Sequence, residues 1–90
     1  MEKYKTYNIN LAAYIALISG QQPRVIKEIN NNDRAKNGLY YLEFDLTDDV
    51  RQIINQFMNN NSYCEIHDFM SEFSKIKKAI NNLKNGKVEN

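Results

Sequence analysis

The chain has one cysteine, Cys64, one proline, Pro23, no tryptophan, and only three glycines. A lone cysteine closes no internal disulfide, so a stapled secreted scaffold is excluded and a reducing cytoplasm is the expected compartment. The longest unbroken apolar run is Leu11 to Ile18, eight residues, well short of the roughly 20 that span a bilayer. The N-terminus does not read as a signal peptide either. Lys3 and Lys5 are followed by Asn8 and Asn10, and Ser19-Gly20 leads into Gln21-Gln22-Pro23 rather than a small-residue cleavage site. Gly20, Gly38 and Gly86 stand far apart, each suited to a turn or a helix stop, so no phosphate-cradling loop is present. No charge sign dominates: 12 Lys+Arg face 11 Asp+Glu, a formal +1. That balance excludes polyanion coating by bulk positive charge and DNA mimicry by bulk negative charge.

What is present is 90 residues, 42% hydrophobic and 26% charged, which places the chain among globular rather than disordered sequences. One domain over residues 1–90 is expected, with 1–3 and 87–90 frayed. A chain this short buries somewhat over 60% of its unfolded surface. Asparagine occurs fourteen times beside abundant Lys and Ile, a bias of AT-rich coding sequence that speaks of origin and not of chemistry.

Tyr4-Lys5-Thr6-Tyr7 alternates at period two, as a short strand does. A helix follows, with Asn10 as its expected cap and Ile9 and Tyr14 as a hydrophobic staple. Leu11, Tyr14, Ile15 and Ile18 form its buried stripe, Ala12, Ala13 and Ala16 allow close approach, and Gly20 stops it. Two strand-like runs, Arg24 to Asn30 and Gly38 to Leu46, flank the polar stretch from Asn31 to Asn37, which predicts a hairpin. In the second run Tyr40, Leu42 and Phe44 take one face and Tyr41, Glu43 and Asp45 the other, the pattern of a sheet wet on one side. The register of the first run stays open, because apolar residues fall on both parities.

Thr47 is the expected cap of a second helix, with Asp48 and Asp49 in its first turn, an apolar face of Val50, Ile53, Ile54 and Phe57, and an end at Asn59-Asn60-Asn61. Tyr63 to Ile66 reads as an apolar connector. Asp68 is the expected cap of a third helix running to about Asn85, in which Phe69, Phe73, Ile76, Ile80 and Leu83 recur at four-three spacing. That seam lasts two heptads, too short for a sustained coiled coil, and suits an internal core contact. The fold class is small α+β, an antiparallel hairpin of two or three strands covered by three helices in the order (β)αββαα.

Thr6, Asn10-Leu11-Ala12-Ala13-Tyr14-Ile15, Gly20, Tyr41-Leu42-Glu43-Phe44-Asp45, Val50 and Phe57 together resemble a family of small uncharacterised domains of Gram-positive bacteria and their phages. The resemblance covers roughly residues 4 to 80 and falls on core positions and turn glycines. It implies the fold and a genomic setting, and it contributes no catalytic residue.

Candidate chemistry is sparse. Cys64 and His67 are three apart with Asp68 beside them, a spacing of metal and thiol sites. A structural zinc needs four ligands, and one Cys and one His complete a site only with carboxylates or a second copy. Nothing else supplies an oxyanion site. A half-buried thiol beside a surface histidine is the plainer reading. The pairs Glu43/Asp45 and Asp48/Asp49 read as a wet strand face and as helix-start charges rather than as an acid–base dyad. Lys75, Lys77, Lys78 and Lys84 give the third helix a basic side, which suits solvent before phosphates. Tyr4, Tyr7, Tyr40, Tyr41 and Tyr63 read as core-rimming tyrosines before base-stacking ones.

The expectation is therefore a cofactor-free, non-enzymatic binding protein, phage or mobile-element encoded and cytoplasmic in its bacterial host. It would dock on a host protein or protein–nucleic acid complex, and an inhibitor of a defence nuclease, of anti-CRISPR type, is its sharpest form. The expected contacts are Asp33 and Arg34 in the hairpin loop with Tyr41, Glu43 and Asp45 on the open face. The alternative is a nucleic-acid-binding regulator using Lys75, Lys77, Lys78 and Lys84. Salt separates the two, since phosphate binding weakens steeply with salt. A small enzyme centred on Cys64 and His67 ranks third, and both monomer and homodimer remain open.

Overall fold

The computed structural model describes residues 2–28 and 39–84. Along the chain run β1 (Lys3–Thr6), α1 (Ile9–Ser19), β2 (Arg24–Glu28), β3 (Leu39–Asp45), α2 (Asp48–Met58) and α3 (Ile66–Lys84). This is the small α+β arrangement the sequence patterning predicts, with the front strand present. The sheet is antiparallel in the order β1-β3-β2, so the cleanest alternating strand lies in the centre and the other two form the edges. At the front of the sheet Lys3 pairs with Asp45, and the Leu46 N–H donates to the Glu2 carbonyl at 2.9 Å. The expected hairpin loop, with Asp33 and Arg34, lies outside the described residues, as do Asn85 and Gly86.

Register decides the faces. Val25 stands opposite Leu42, Thr6 opposite Leu42 on the other side, and Tyr4 opposite Phe44. Directly opposed residues share a face, so this is the inner face, where Leu42 and Phe44 are fully buried. It settles the parity of β2: Val25 points to the core and Arg24 and Ile26 to the open side.

Helix α1 sits inside the molecule. Every residue from Leu11 to Ala16 is buried, the mark of a helix apolar on all sides rather than along one stripe. It packs on α2 and α3 and touches β1, which explains its three alanines: they let neighbours approach from several directions. Tyr14 reaches α2, stacking at a tilt on Phe57 with centroids 5.9 Å apart and donating its hydroxyl to Gln56 Oε1 at 3.4 Å. Two expectations for this helix are corrected. Ile18, assigned to the buried stripe, is 46% exposed, because α1 is covered around its middle and opens at its last turn. The cap is Asn8, not Asn10: Asn8 Oδ1 accepts the Leu11 N–H at 3.2 Å, and its own N–H donates to Thr6 Oγ1 at 3.0 Å. The helix thus begins three residues after β1 ends, and the Ile9–Tyr14 staple does not apply. Gly20 closes the helix at φ 76°, a left-handed conformation open to glycine without steric cost.

Thr47 caps α2 as expected, accepting from Val50 N–H at 3.2 Å. Its end explains the asparagine run. Asn60 takes φ 58°, the Asn61 N–H reaches the Gln56 carbonyl and the Asn60 N–H the Phe57 carbonyl, the paired bonds of a Schellman closure with asparagine in glycine's place. In α3, Phe69, Phe73, Ile76 and Ile80 face the core and only Ile76 is fully buried, while Leu83 is 45% exposed. The expected cap is again displaced: the helix starts at Ile66, Glu65 Oε2 accepts the Asp68 N–H at 2.8 Å, and Asp68 sits inside the first turn.

Candidate functional site

Among the described residues, no three His, Cys, Asp or Glu side chains gather as metal ligands. Cys64 is exposed rather than half-buried, because the Tyr63–Ile66 connector lies on the surface: Tyr63 is 83% exposed. His67 points outward beside Glu65 at 3.2 Å. Among the described residues, shallow clefts include one of about 50 Å³, between the start of β2 and α3 near Val25 and Ile76, and one of about 210 Å³, between α1 and α2 near Ile18 and Gln52. Both fall below the roughly 300 Å³ at which small-molecule sites begin.

The open face of the sheet is different in kind. Carboxylates line the central strand, Glu43 and Asp45, and cations line both edges at the opposed positions: Lys3 and Lys5 on β1, Arg24 on β2. Arg24 bridges them, Nε to Glu43 at 3.0 Å and Nη2 to Asp45 at 3.1 Å, and Lys3 closes on Asp45 from the other side. The Lys3 ammonium first, and then Arg24, hold the Asp45 carboxyl below its ordinary value, and the hydrogen bond to Glu43 holds the Arg24 guanidinium all the more firmly charged. Gln21 fixes the strand's end, its carboxamide accepting from the Asp45 N–H and donating to the Asp45 carbonyl, as a further strand residue would.

Beside this ionic lattice lies an aromatic patch. Tyr7 meets Tyr41 edge-on with centroids 6.2 Å apart, Lys5 Nζ stands 5.1 Å above the Tyr41 ring, and Ile26 is opposite Tyr41 on β2. Tyr7 is 57% exposed. Of the expected contact residues, Tyr41, Glu43 and Asp45 therefore share one surface. Lys3, Lys5, Tyr7, Arg24 and Ile26 complete it and were missed. The signal for the three cations was charge: two carboxylates on a central strand call for cations at the same parity of its neighbours, which selects Arg24 over Val25.

The lysines of α3 do not form one patch. At about 100° per residue, Lys77 and Lys84 flank one side of the apolar stripe, Lys75 the other, and Lys78 lies between them on the solvent side. Lys77 covers Phe73 at 5.8 Å, Lys84 covers Tyr40 at 5.9 Å, and Lys75 pairs with Glu72 at 3.4 Å. Such side chains cover apolar surface with their stems.

A family described as a domain of unknown function, DUF5659, matches residues 1–83. The chain belongs to it. The DUF5659 match begins before β1 and ends one residue short of the end of α3, so the sheet, its open face and all three helices fall within the family's unit. Neither the curated proteins nor the solved structures contain a match. No helix among the described residues is long and apolar enough to cross a membrane.

Proposed function

We propose that this DUF5659 protein is a non-enzymatic docking module that presents the open face of its sheet to another macromolecule. One observation carries the reading: a face left uncovered by the helices combines a half-exposed apolar and aromatic centre, Tyr7, Tyr41 and Ile26, with an ordered lattice of opposite charges. Aromatic anchors surrounded by polar groups are the make-up of protein interfaces. The partner is a cytoplasmic host protein or protein–nucleic acid complex, and the narrower form of the proposal is a phage-encoded or mobile-element inhibitor of a bacterial defence nuclease.

The test is capture from bacterial host lysate at two salt concentrations, with and without nuclease, using the native protein, a Tyr41→Ser/Ile26→Ser variant and a Lys75→Ala/Lys78→Ala variant. One protein retained in every condition, lost with the sheet variant and kept with the lysine variant, is the expected outcome. Loss with nuclease or salt, following the lysines instead of Tyr41, overturns it in favour of nucleic acid.

A further inference from the structure

Strand β2 is an edge of the sheet, and its backbone parity can be read from its neighbours. Gln21 meets both backbone groups of Asp45 on the β2 side, and Leu46 meets Glu2 on the β1 side. Hence Glu43 and Tyr41 bond toward β2, their partners Arg24 and Ile26 bond inward, and Val25 and Lys27 turn N–H and C=O outward. These outward groups take no partner from the described residues.

We propose that β2 pairs antiparallel with β2 of a second copy about a two-fold axis at Ile26, joining two three-stranded sheets into one of six strands. The occupant follows from the sequence of the edge, Arg-Val-Ile-Lys-Glu, which is its own charge complement when reversed. Pairing Val25 with Lys27 of the other copy, as the outward groups require, places Ile26 opposite Ile26 and Arg24 opposite Glu28. Residues of opposite charge and apolar residues then occupy directly opposed register positions across the seam. The other edge refuses the same operation. In β1 the outward residues by the same parity are Lys3 and Lys5, and self-pairing sets lysine against lysine, the usual guard on an exposed edge. Pro23, which has no N–H, bounds the pairing to β2 itself. The interface is short, so the dimer is weak. It extends the open face across two copies without covering it, and it stands independently of the docking partner because it concerns the purified protein alone.

The experiment is sedimentation equilibrium from about 10 μM to about 1 mM, with amide hydrogen exchange read residue by residue over the same range. The mass is expected to rise from 10.6 kDa toward twice that value, and the Val25 and Lys27 amides to slow with concentration while the Ile26 amide, already bonded to β3, does not. Ile26→Lys, which sets two lysines at the axis and leaves the core intact, is expected to weaken the dimer about fivefold. A monomer throughout the range overturns the proposal. So does a dimer whose Val25 and Lys27 amides keep their dilute exchange rates, whatever the variant does.

Discussion

Enclosure of α1 makes a sharp claim about Ala13, which is 0% exposed and belongs to the buried core cluster. Shrinking and enlarging this side chain are both expected to destabilise. Ala13→Gly forfeits about 0.8 kcal/mol for one buried carbon and about 1 kcal/mol of helix propensity, close to 2 kcal/mol together. Ala13→Leu inserts three carbons into a closed site at about 1–3 kcal/mol. A domain of this length holds about 5–13 kcal/mol in all, so either change removes a substantial share. At about 4–8 °C per kcal/mol, Ala13→Gly lowers Tm by roughly 8–15 °C. Scanning calorimetry and urea midpoints measure both, with the same two substitutions at exposed Ser71 on α3 as the control, where each changes stability by about 0.5 kcal/mol or less. A neutral or stabilising Ala13→Leu would refute the reasoning, for it would mean that α1 has a free flank and is an ordinary amphipathic helix.

Two further outcomes follow from local geometry. Asn8→Ala is expected to cost about 1 kcal/mol in thermal melts by removing the α1 cap, and Asn10→Ala, at an exposed position inside the helix where alanine is the better helix former, to be neutral or slightly stabilising; the reverse order would move the helix start to Asn10. Asp45→Asn tests the ionic lattice through pH. The folded carboxyl sits below its unfolded value of 3.8, so its contribution is present above that value and is lost as pH falls through the lower, folded one. The gap between native and variant denaturation midpoints should stay constant from about pH 7 to about pH 5 and close in stronger acid, and a gap independent of pH would mean that the carboxylate charge is not what matters.

How far the sequence was legible depended on whether neighbouring residues or distant ones decided the outcome. The alternation Tyr40 to Asp45 is unambiguous within six residues, so β3 and its faces were readable. Thr47 with Asp48 and Asp49 marks a helix start by itself. Asn8 and Asn10 are chemically identical candidates two residues apart, and the choice between them rests on where β1 releases the chain, a tertiary fact. The same holds for Glu65 against Asp68. Ile18 continues the i, i+3, i+4, i+7 stripe perfectly and is nonetheless exposed, because periodicity reports which side of a helix is apolar and not how far along it the neighbours extend. In β2, apolar residues on both parities hid the register until Glu43 and Asp45 were placed opposite. Arg24, which bridges the two carboxylates of the lattice, becomes legible only with that pairing, where Glu43 and Asp45 call for a cation.

The chemistry of the open face narrows the proposed partner further than its exposure does. A polyanion gains from fixed cations only where they are free, and here Arg24 and Lys3 are already satisfied by Glu43 and Asp45, so phosphates would meet two carboxylates and have to displace an existing network. A protein surface would face no such conflict, since it would dock its own apolar residue on Tyr7, Tyr41 and Ile26 and leave the lattice standing at the rim. Lys5 is the exception: it makes no ion pair among the described residues and lies over Tyr41, so a partner that brings a carboxylate there gains a charge-assisted contact at the edge of the aromatic patch without breaking another. That asymmetry, one available cation beside an apolar centre, favours an acidic and apolar protein segment over nucleic acid, and it makes a modest dependence of binding on salt the expected signature.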